Sequence, residues 1–368
     1  MQGLPADHYT SDAVFARERE RIFGRLWLFA GLRMMVARSG AYYARTLAGV
    51  PIVLQNLGGN IACFLNRCAH RGAELQPEGF GVRGFVCGYH GFRYAIDGSI
   101  AHIPDEQSAH RFQPEDRSCL RLRRFALREV GQLLFVSFSD APDPIESQFS
   151  QTLLTQLEHV SSFFDTDVIQ ATTTSRYNWK LPGENLRDLL HPRFVHPQTL
   201  FPLFDFEQQP SRYAPEAATL KDVSFGGPEG IGKKDFSWPY WSHLERWPEA
   251  TEHYYNWLLY PNLHIASHDG CRTFGIEQYD PVDAGTTRLV HFMLTSKRKT
   301  PIPYGDALLR GMLRGARTIL DEDARIMEGA QRSLAGSCGI SDSPVLVHGA
   351  SDTSVARFVA VTKEQLDA

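Results

Sequence analysis

The sequence predicts an α+β chain: an antiparallel β domain first, then a domain with a second antiparallel sheet and a long C-terminal helix. Three observations carry this. Between Val36 and Phe138, short β-branched or aromatic runs alternate with Gly and Asn punctuation. Four more strand-like runs lie between Tyr254 and Thr295, and a helical stretch from Tyr304 to Leu334 follows them.

In chain order, Ser11 can cap a helix carrying Phe15, Glu18, Ile22, Phe23, Leu26 and Trp27 at helical spacing. Residues 1–37 are expected to form a helical segment packed on the second domain. Residues 38–140 hold the strands of the first domain, among them Tyr42–Leu47, Ile52–Gln55, Ile61–Leu65, Phe85–Cys87 and Leu133–Phe138. Asn56-Leu-Gly-Gly-Asn60 marks a turn, and Ala141-Pro-Asp-Pro144 reads as a linker. The second domain, residues 145–368, opens with a helix near Ile145–Val160. A strand-like run over Thr172–Lys180 and a helix over Gly183–Leu190, broken at Pro192, come next. The aromatic-rich stretch 201–250 reads as irregular. Strands are expected at Tyr254–Tyr260, Leu263–Ala266, Thr273–Gln278 and Thr287–Thr295.

Charge and composition exclude several classes. Lys and Arg number 38 against 42 Asp and Glu, a formal charge of -4, so nothing favours nucleic acid or an anionic membrane surface as partner. No apolar run reaches signal-peptide or transmembrane length. Six irregularly spaced cysteines in 368 residues do not make a disulfide scaffold, and a cytoplasmic location is expected.

Two stretches carry chemistry. The first is Cys68-Ala-His70, then sixteen residues, then Cys87-Gly-Tyr-His90. Zinc fingers usually pair two Cys and then two His, whereas this interleaving lets each arm supply one thiolate and one imidazole. That donor set suits a [2Fe-2S] centre with Cys on one iron and His on the other, and a structural zinc is the competing occupant. Gly72, Gly84, Gly88 and Gly91 would let backbone N–H groups approach sulfur.

The second stretch is Glu184-Asn185-Leu-Arg-Asp188-Leu-Leu-His191-Pro-Arg-Phe-Val-His196. Asp188 and His191 could share a helix face. His191 and His196 are wrongly spaced for one, unless Pro192 swings the second back. Two imidazoles and a carboxylate with open positions make the facial triad of non-haem Fe(II) oxygenases, although histidines near a helix end also cap carbonyls.

Cys68-Ala-His70-Arg71-Gly72 and Cys87-Gly-Tyr-His90-Gly91-Phe92-Arg93-Tyr94 resemble the cluster loops of the Rieske non-haem iron oxygenase family. Asn178-Trp-Lys180 and the Glu184–His196 stretch resemble the family's iron motif. The resemblance implies a Rieske-type antiparallel β domain and a helix-grip (START-like) catalytic domain. It implies a [2Fe-2S] cluster on Cys68, His70, Cys87 and His90, and a mononuclear Fe(II) on His191, His196 and Asp323, with O2 as cosubstrate. Asp321 and Glu322 are nearby alternatives for the third ligand. Asp188 would bridge His191 to His90 of an adjacent chain, which implies a homotrimer with inter-subunit electron transfer. The function so implied is a terminal oxygenase, reduced by a separate NAD(P)H-dependent reductase or a ferredoxin, that hydroxylates a small aromatic substrate. Alternatives are an oxidative N- or O-demethylase acting on betaines or methoxyaromatics, and an electron carrier without catalytic iron.

Overall fold

The computed structural model describes residues 3–188, 190–205, 219–233, 238–302, 304–337, 346–349 and 352–367. The chain forms two compact units, one of residues 24–143 and one of residues 1–23 with 144–368.

The N-terminus begins with α1 (Asp7–Thr10) and α2 (Asp12–Glu18), and the Ser11 side chain accepts from the Val14 N–H as a cap. A π-helical turn over Arg19–Phe23 ends the helical segment. The expected segment of residues 1–37 is therefore divided. Leu28–Leu32 is a strand, β1, of the first sheet, and Leu26 and Trp27 lie outside the helix. Its five consecutive buried residues suit a strand covered on both faces better than an amphipathic helix.

The unit of residues 24–143 continues with β2 (Ala41–Leu47), β3 (Val50–Leu57), β4 (Asn60–Leu65), β5 (Gly79–Val82), β6 (Arg93–Tyr94) and β7 (Ile100–His102). Helix α3 (Pro114–Cys119) leads into β8 (Arg124–Val130) and β9 (Leu133–Ser137). Strands β1-β9-β8-β4-β3-β2-β5 form an antiparallel sheet, and β6-β7 a small separate ribbon. Val53, Phe64, Phe85, Phe92 and Leu122 pack into one buried cluster with Cys68 and Cys87, so the chemistry-bearing thiols are part of the core.

In the other unit, α4 (Ile145–Gln148) and α5 (Gln151–Ser161) lead into β10 (Phe164–Ser175). Short helices α6 (Lys180–Asn185) and α7 (Pro192–Val195) follow. Strands β11 (Phe204–Asp205), β12 (Phe225–Lys233), β13 (His253–Leu259), β14 (Leu263–Ser267), β15 (Thr273–Asp283) and β16 (Thr286–Ser296) precede α8 (Gly305–Ser337) and α9 (Thr353–Asp367). The sheet order is β10-β16-β15-β14-β13-β12-β11, antiparallel throughout. Helix α8 packs against β10 and β16, which realises the helix-grip arrangement. The stretch 201–250, expected to be irregular, contributes β11 and β12; the four glycines and one proline of β12 hid a strand maintained by its partner β13.

A buried polar network ties the N-terminal helices to this unit. Lys180 and Glu18 form an ion pair with both side chains fully buried, and Trp179 Nε1 donates to Glu18 Oε2 at 2.8 Å. Gln331 of α8 donates to the Tyr9 carbonyl at 2.8 Å and accepts from the Asn178 N–H at 3.0 Å. The Tyr9 hydroxyl donates to Glu184 Oε1 at 2.6 Å. A lone buried charge is costly, but this one is paired and further hydrogen-bonded. Asn178, Trp179 and Lys180 thus fix the segment that leads into the second histidine stretch.

Candidate metal centres

The two arms of the first motif have one backbone pattern. The Cys68 N–H donates to the Ala73 carbonyl at 2.7 Å and the Gly72 N–H to the Cys68 carbonyl at 3.0 Å. Likewise the Cys87 N–H donates to the Phe92 carbonyl at 2.8 Å and the Gly91 N–H to the Cys87 carbonyl at 3.0 Å. Gly72 and Gly91 close these turns at φ of 71° and 72°, where a side chain would be strained. That conformation by itself calls for glycine at both positions. Gly84 and Gly88 do not adopt positive φ.

The turns bring His70 and His90 together, with ring centroids 4.8 Å apart, and His70 stacks on Phe92 at 4.5 Å. Tyr94 packs beneath, its hydroxyl 3.0 Å from Cys68 Sγ and accepting from the Ala69 N–H at 3.1 Å. Burial pushes the Cys68 thiol up and the His70 imidazole down. Among the described residues His70 Nδ1 is buried without a hydrogen-bond partner, and Cys68 and Cys87 are free thiols. Two buried thiols, two facing imidazoles and an orphaned ring nitrogen fit a two-thiolate, two-imidazole cluster.

The second motif folds differently from the helix expected over Gly183–Leu190. Helix α6 ends at Asn185, so Asp188 and His191 do not share a helix face. Pro192 does not break a helix but begins one: it occupies the first turn of α7, with His191 at its N-cap and His196 at its C-cap. This one-turn helix, rather than a kink, brings the two imidazoles to a centroid separation of 5.4 Å.

Asp323 reaches them from α8, where it is buried with Met327 and Gln331 on one line of the helix. Its Oδ1 lies 3.0 Å from His196 Nε2 and 3.6 Å from His191 Nε2. Despite the short distance, His196 Nε2 makes no well-aligned hydrogen bond. The candidate ligand atoms of His191, His196 and Asp323 all lie within 4.8 Å of one another. Two imidazole nitrogens and a carboxylate oxygen converging this closely fit a divalent cation.

The neighbouring acids have other partners. Asp321 pairs with Arg317 at 2.6 Å, and Glu322 Oε2 accepts from His196 Nδ1 at 2.7 Å and from the Thr199 hydroxyl at 2.6 Å. Asn185 Nδ2 donates to Asp323 Oδ1 at 3.0 Å. The Asp188 backbone carbonyl, not its carboxylate, accepts from His191 Nδ1 at 2.6 Å; carboxylate Oδ2 stands 3.9 Å away. Both histidines therefore have Nδ1 engaged and Nε2 directed to Asp323, as orienting contacts to metal-binding histidines do. Burial pulls the His191 imidazole down. Burial acts likewise on His196, but the Asp323 and Glu322 carboxylates push it up.

Asp188, His191, His196 and Asp323 line one cavity of about 750 Å³, open solvent at its mouth included. Ala316, Ile319 and Leu320 of α8 with Leu186, Pro192 and Leu200 make an apolar wall. The sheet supplies Tyr254, Asn256, His264, His268 and Glu277. His264 and His268 belong to this lining, while His253 hydrogen-bonds Thr251 at 2.6 Å. Asn256 and Glu277 escaped the sequence reading. The available signal for Glu277 was a carboxylate within an otherwise core-like strand run.

Residues 165–368 match the family model for the ring hydroxylating alpha subunit (catalytic domain), and residues 27–117 match the Rieske [2Fe-2S] domain. The glycine betaine monooxygenase oxygenase subunit of Chromohalobacter salexigens is 30% identical over 210 residues, covering 55% of this chain and 45% of that protein. The biphenyl 2,3-dioxygenase subunit alpha of Rhodococcus jostii is 33% identical over 139 residues, covering 37% of this chain and 30% of its own. The matches thus span half or less of these relatives' length. Among solved structures, a quaternary ammonium Rieske monooxygenase bound to L-carnitine has a TM-score of 0.76 at 19% identity, covering 99% of this chain and 95% of its own. Another structure of such an enzyme is described with inter-subunit electron transfer, at 18% identity, TM-score 0.73 and coverage of 100% and 94%. Two site geometries and a family match over more than half its length agree: the chain belongs to the ring-hydroxylating alpha subunit family, with a Rieske [2Fe-2S] domain ahead of its catalytic domain.

Proposed function

We propose that this chain is the terminal oxygenase component of a Rieske non-haem iron system, hydroxylating a small organic substrate with O2. The observation that carries the reading is the convergence of His191 Nε2, His196 Nε2 and Asp323 Oδ1 at the wall of a largely apolar cavity. Cys68, His70, Cys87 and His90 would hold the cluster, and His191, His196 and Asp323 the Fe(II). The cluster supplies single electrons, and the iron supplies open positions for O2.

The chain's own residues prepare that chemistry. Asp188 and Glu322 hold the two Nδ1 atoms, so each imidazole offers Nε2. Asn185 holds the Asp323 carboxylate. The apolar wall keeps bulk water from the reacting space. Electrons come from an external NAD(P)H-dependent reductase or a ferredoxin. The Asp188 carboxylate accepts from the Leu190 N–H at 2.8 Å through Oδ1, and its Oδ2 would meet His90 of the partner subunit in a homotrimer with inter-subunit electron transfer. A cytoplasmic location suits the free thiols. Among the described residues, no helix is long and apolar enough to cross a membrane.

Relatives named for betaine and carnitine oxidation support a second reading, oxidative N-demethylation or hydroxylation of a quaternary ammonium compound, beside the aromatic-ring attack that the dioxygenase relatives support. The test is anaerobic purification with iron and sulfide counting, then substrate-coupled O2 uptake with a surrogate reductase. Substrates span aromatic acids, methoxylated aromatics and betaines. About three iron atoms and two sulfides per chain are expected. His191→Ala should lose the mononuclear iron and keep the cluster's visible spectrum. Two irons in the wild type, with no coupled uptake, would sink the proposal.

A further inference from the structure

The sheet side of the cavity contains a second polar set that the metal centre does not use. His264 of β14 stands opposite Glu277 of β15, and Glu277 stands opposite His291 of β16. Cross-strand partners share a face, so the three form a row across the sheet. His264, Asn256 and Glu277 are 3%, 3% and 8% exposed. Glu277 Oε2 lies 2.9 Å from His264 Nδ1 and accepts from the Tyr279 hydroxyl at 2.8 Å.

The protonation pattern follows. Burial raises the Glu277 carboxyl, but His264, His291 and the Tyr279 hydroxyl more than offset it and hold the group at about 2. An ionised carboxylate only accepts, so His264 Nδ1 carries the proton that it donates. His264 Nε2 is buried and has no hydrogen-bond partner among the described residues. Asn256 Oδ1, on the adjacent strand, is a buried acceptor likewise without one. Burial pushes His268 down to about 4, so this imidazole brings no positive charge to the same wall. Ala266, between His264 and His268 on that face and opposite Asn256, is too small to fill the space beside them.

Two partnerless polar atoms on side chains only 3% exposed are expensive unless a ligand satisfies them. We infer that the substrate carries a hydrogen-bond-donating group, a hydroxyl or an amine N–H, that is read by His264 Nε2 and Asn256 Oδ1. Glu277 acts as the positioning residue that fixes the His264 tautomer. The inference rests on the cavity being the substrate site. It separates this chain from one built for a plain hydrocarbon, whose binding would leave both acceptors unsatisfied, and from one built for a carboxylate, which would face Glu277 and two lone pairs.

The test is equilibrium binding by calorimetry to the intact holoenzyme under anaerobic conditions, which needs no turnover. The probes are phenol, aniline, toluene and benzoate, similar in size and different in donor and charge. Phenol or aniline should bind about tenfold or more tighter than toluene, the range of one well-placed hydrogen bond. In His264→Phe that ratio should fall to about twofold or less while toluene affinity holds. Asn256→Leu should lower the ratio independently, and Glu277→Gln should lower it without touching either acceptor. Equal binding of toluene and phenol by the wild type overturns the inference. So does a ratio that survives in both His264→Phe and Asn256→Leu, tightest binding by benzoate, or no binding of either donor. Iron content and O2 uptake report separately on the oxygenase reading.

Discussion

Glu184 makes the stability of the catalytic unit depend on pH. Burial pushes its carboxyl up from an ordinary 4.5 to about 7, although the Tyr9 hydroxyl, Lys180 and Arg187 act in the opposite direction. The folded chain thus holds this proton where the unfolded chain releases it. The group's favourable contribution is complete below about pH 4.5 and is lost as pH rises through about 7. At about 1.4 kcal/mol for each pH unit, the gap amounts to on the order of 3 kcal/mol. The side chain is only part-buried, so solvent reduces this to on the order of 2 kcal/mol. Glu184→Gln keeps an oxygen for the Tyr9 hydroxyl and cannot ionise. Wild type and variant should be unfolded in denaturant between pH 5 and 8.5, and the difference taken at each pH. Titrations common to both chains, those of the metal ligands included, cancel in that difference. The variant should gain on the wild type by about 2 kcal/mol across the range. A difference that stays flat with pH, or that favours the wild type at alkaline pH, refutes the reasoning.

Three other outcomes follow from particular contacts. Glu18→Ala strands the fully buried Lys180 charge and should cost about 3–5 kcal/mol, read as a lower denaturation midpoint; Glu18→Leu with Lys180→Met should recover most of it. Tyr94→Phe removes a hydroxyl 3.0 Å from Cys68 Sγ, so voltammetry should find a lower cluster potential with the visible spectrum retained. Glu322→Ala frees His196 Nδ1 and should weaken mononuclear iron binding roughly 10–100-fold in a chelator competition, leaving the cluster intact.

Much of the first site was legible because it is local. Cys68 and His70, and Cys87 and His90, each lie within one tight turn, where spacing nearly dictates geometry. The second site was legible only in part. The run from Glu184 to His196 showed its ligand types, but the helix expected across it ends at Asn185, and Pro192 starts α7 rather than ending a helix. Local signals for Pro are ambiguous, since the same residue suits a first helical turn and ruins an interior one. The segment of residues 1–37 divided for a related reason: apolar residues at helical spacing continued into Leu28–Leu32, whose burial on both faces is a property of the sheet.

The sequence by itself determined the two donor sets, the antiparallel first unit and the long helix carrying a third carboxylate, because ligand chemistry and hydrophobic period are written residue by residue. Tertiary structure decided which acid on that helix faces the histidines. Asp321, Glu322 and Asp323 are adjacent in the chain, and only the packing of α8 against the sheet turns Asp323 inward, Glu322 to His196 Nδ1 and Asp321 to Arg317. It also decided that His264, Asn256 and Glu277 share a cavity with the candidate metal ligands. They come from three different strands, and strand register, set by long-range pairing and core burial, has no signature within any one of them.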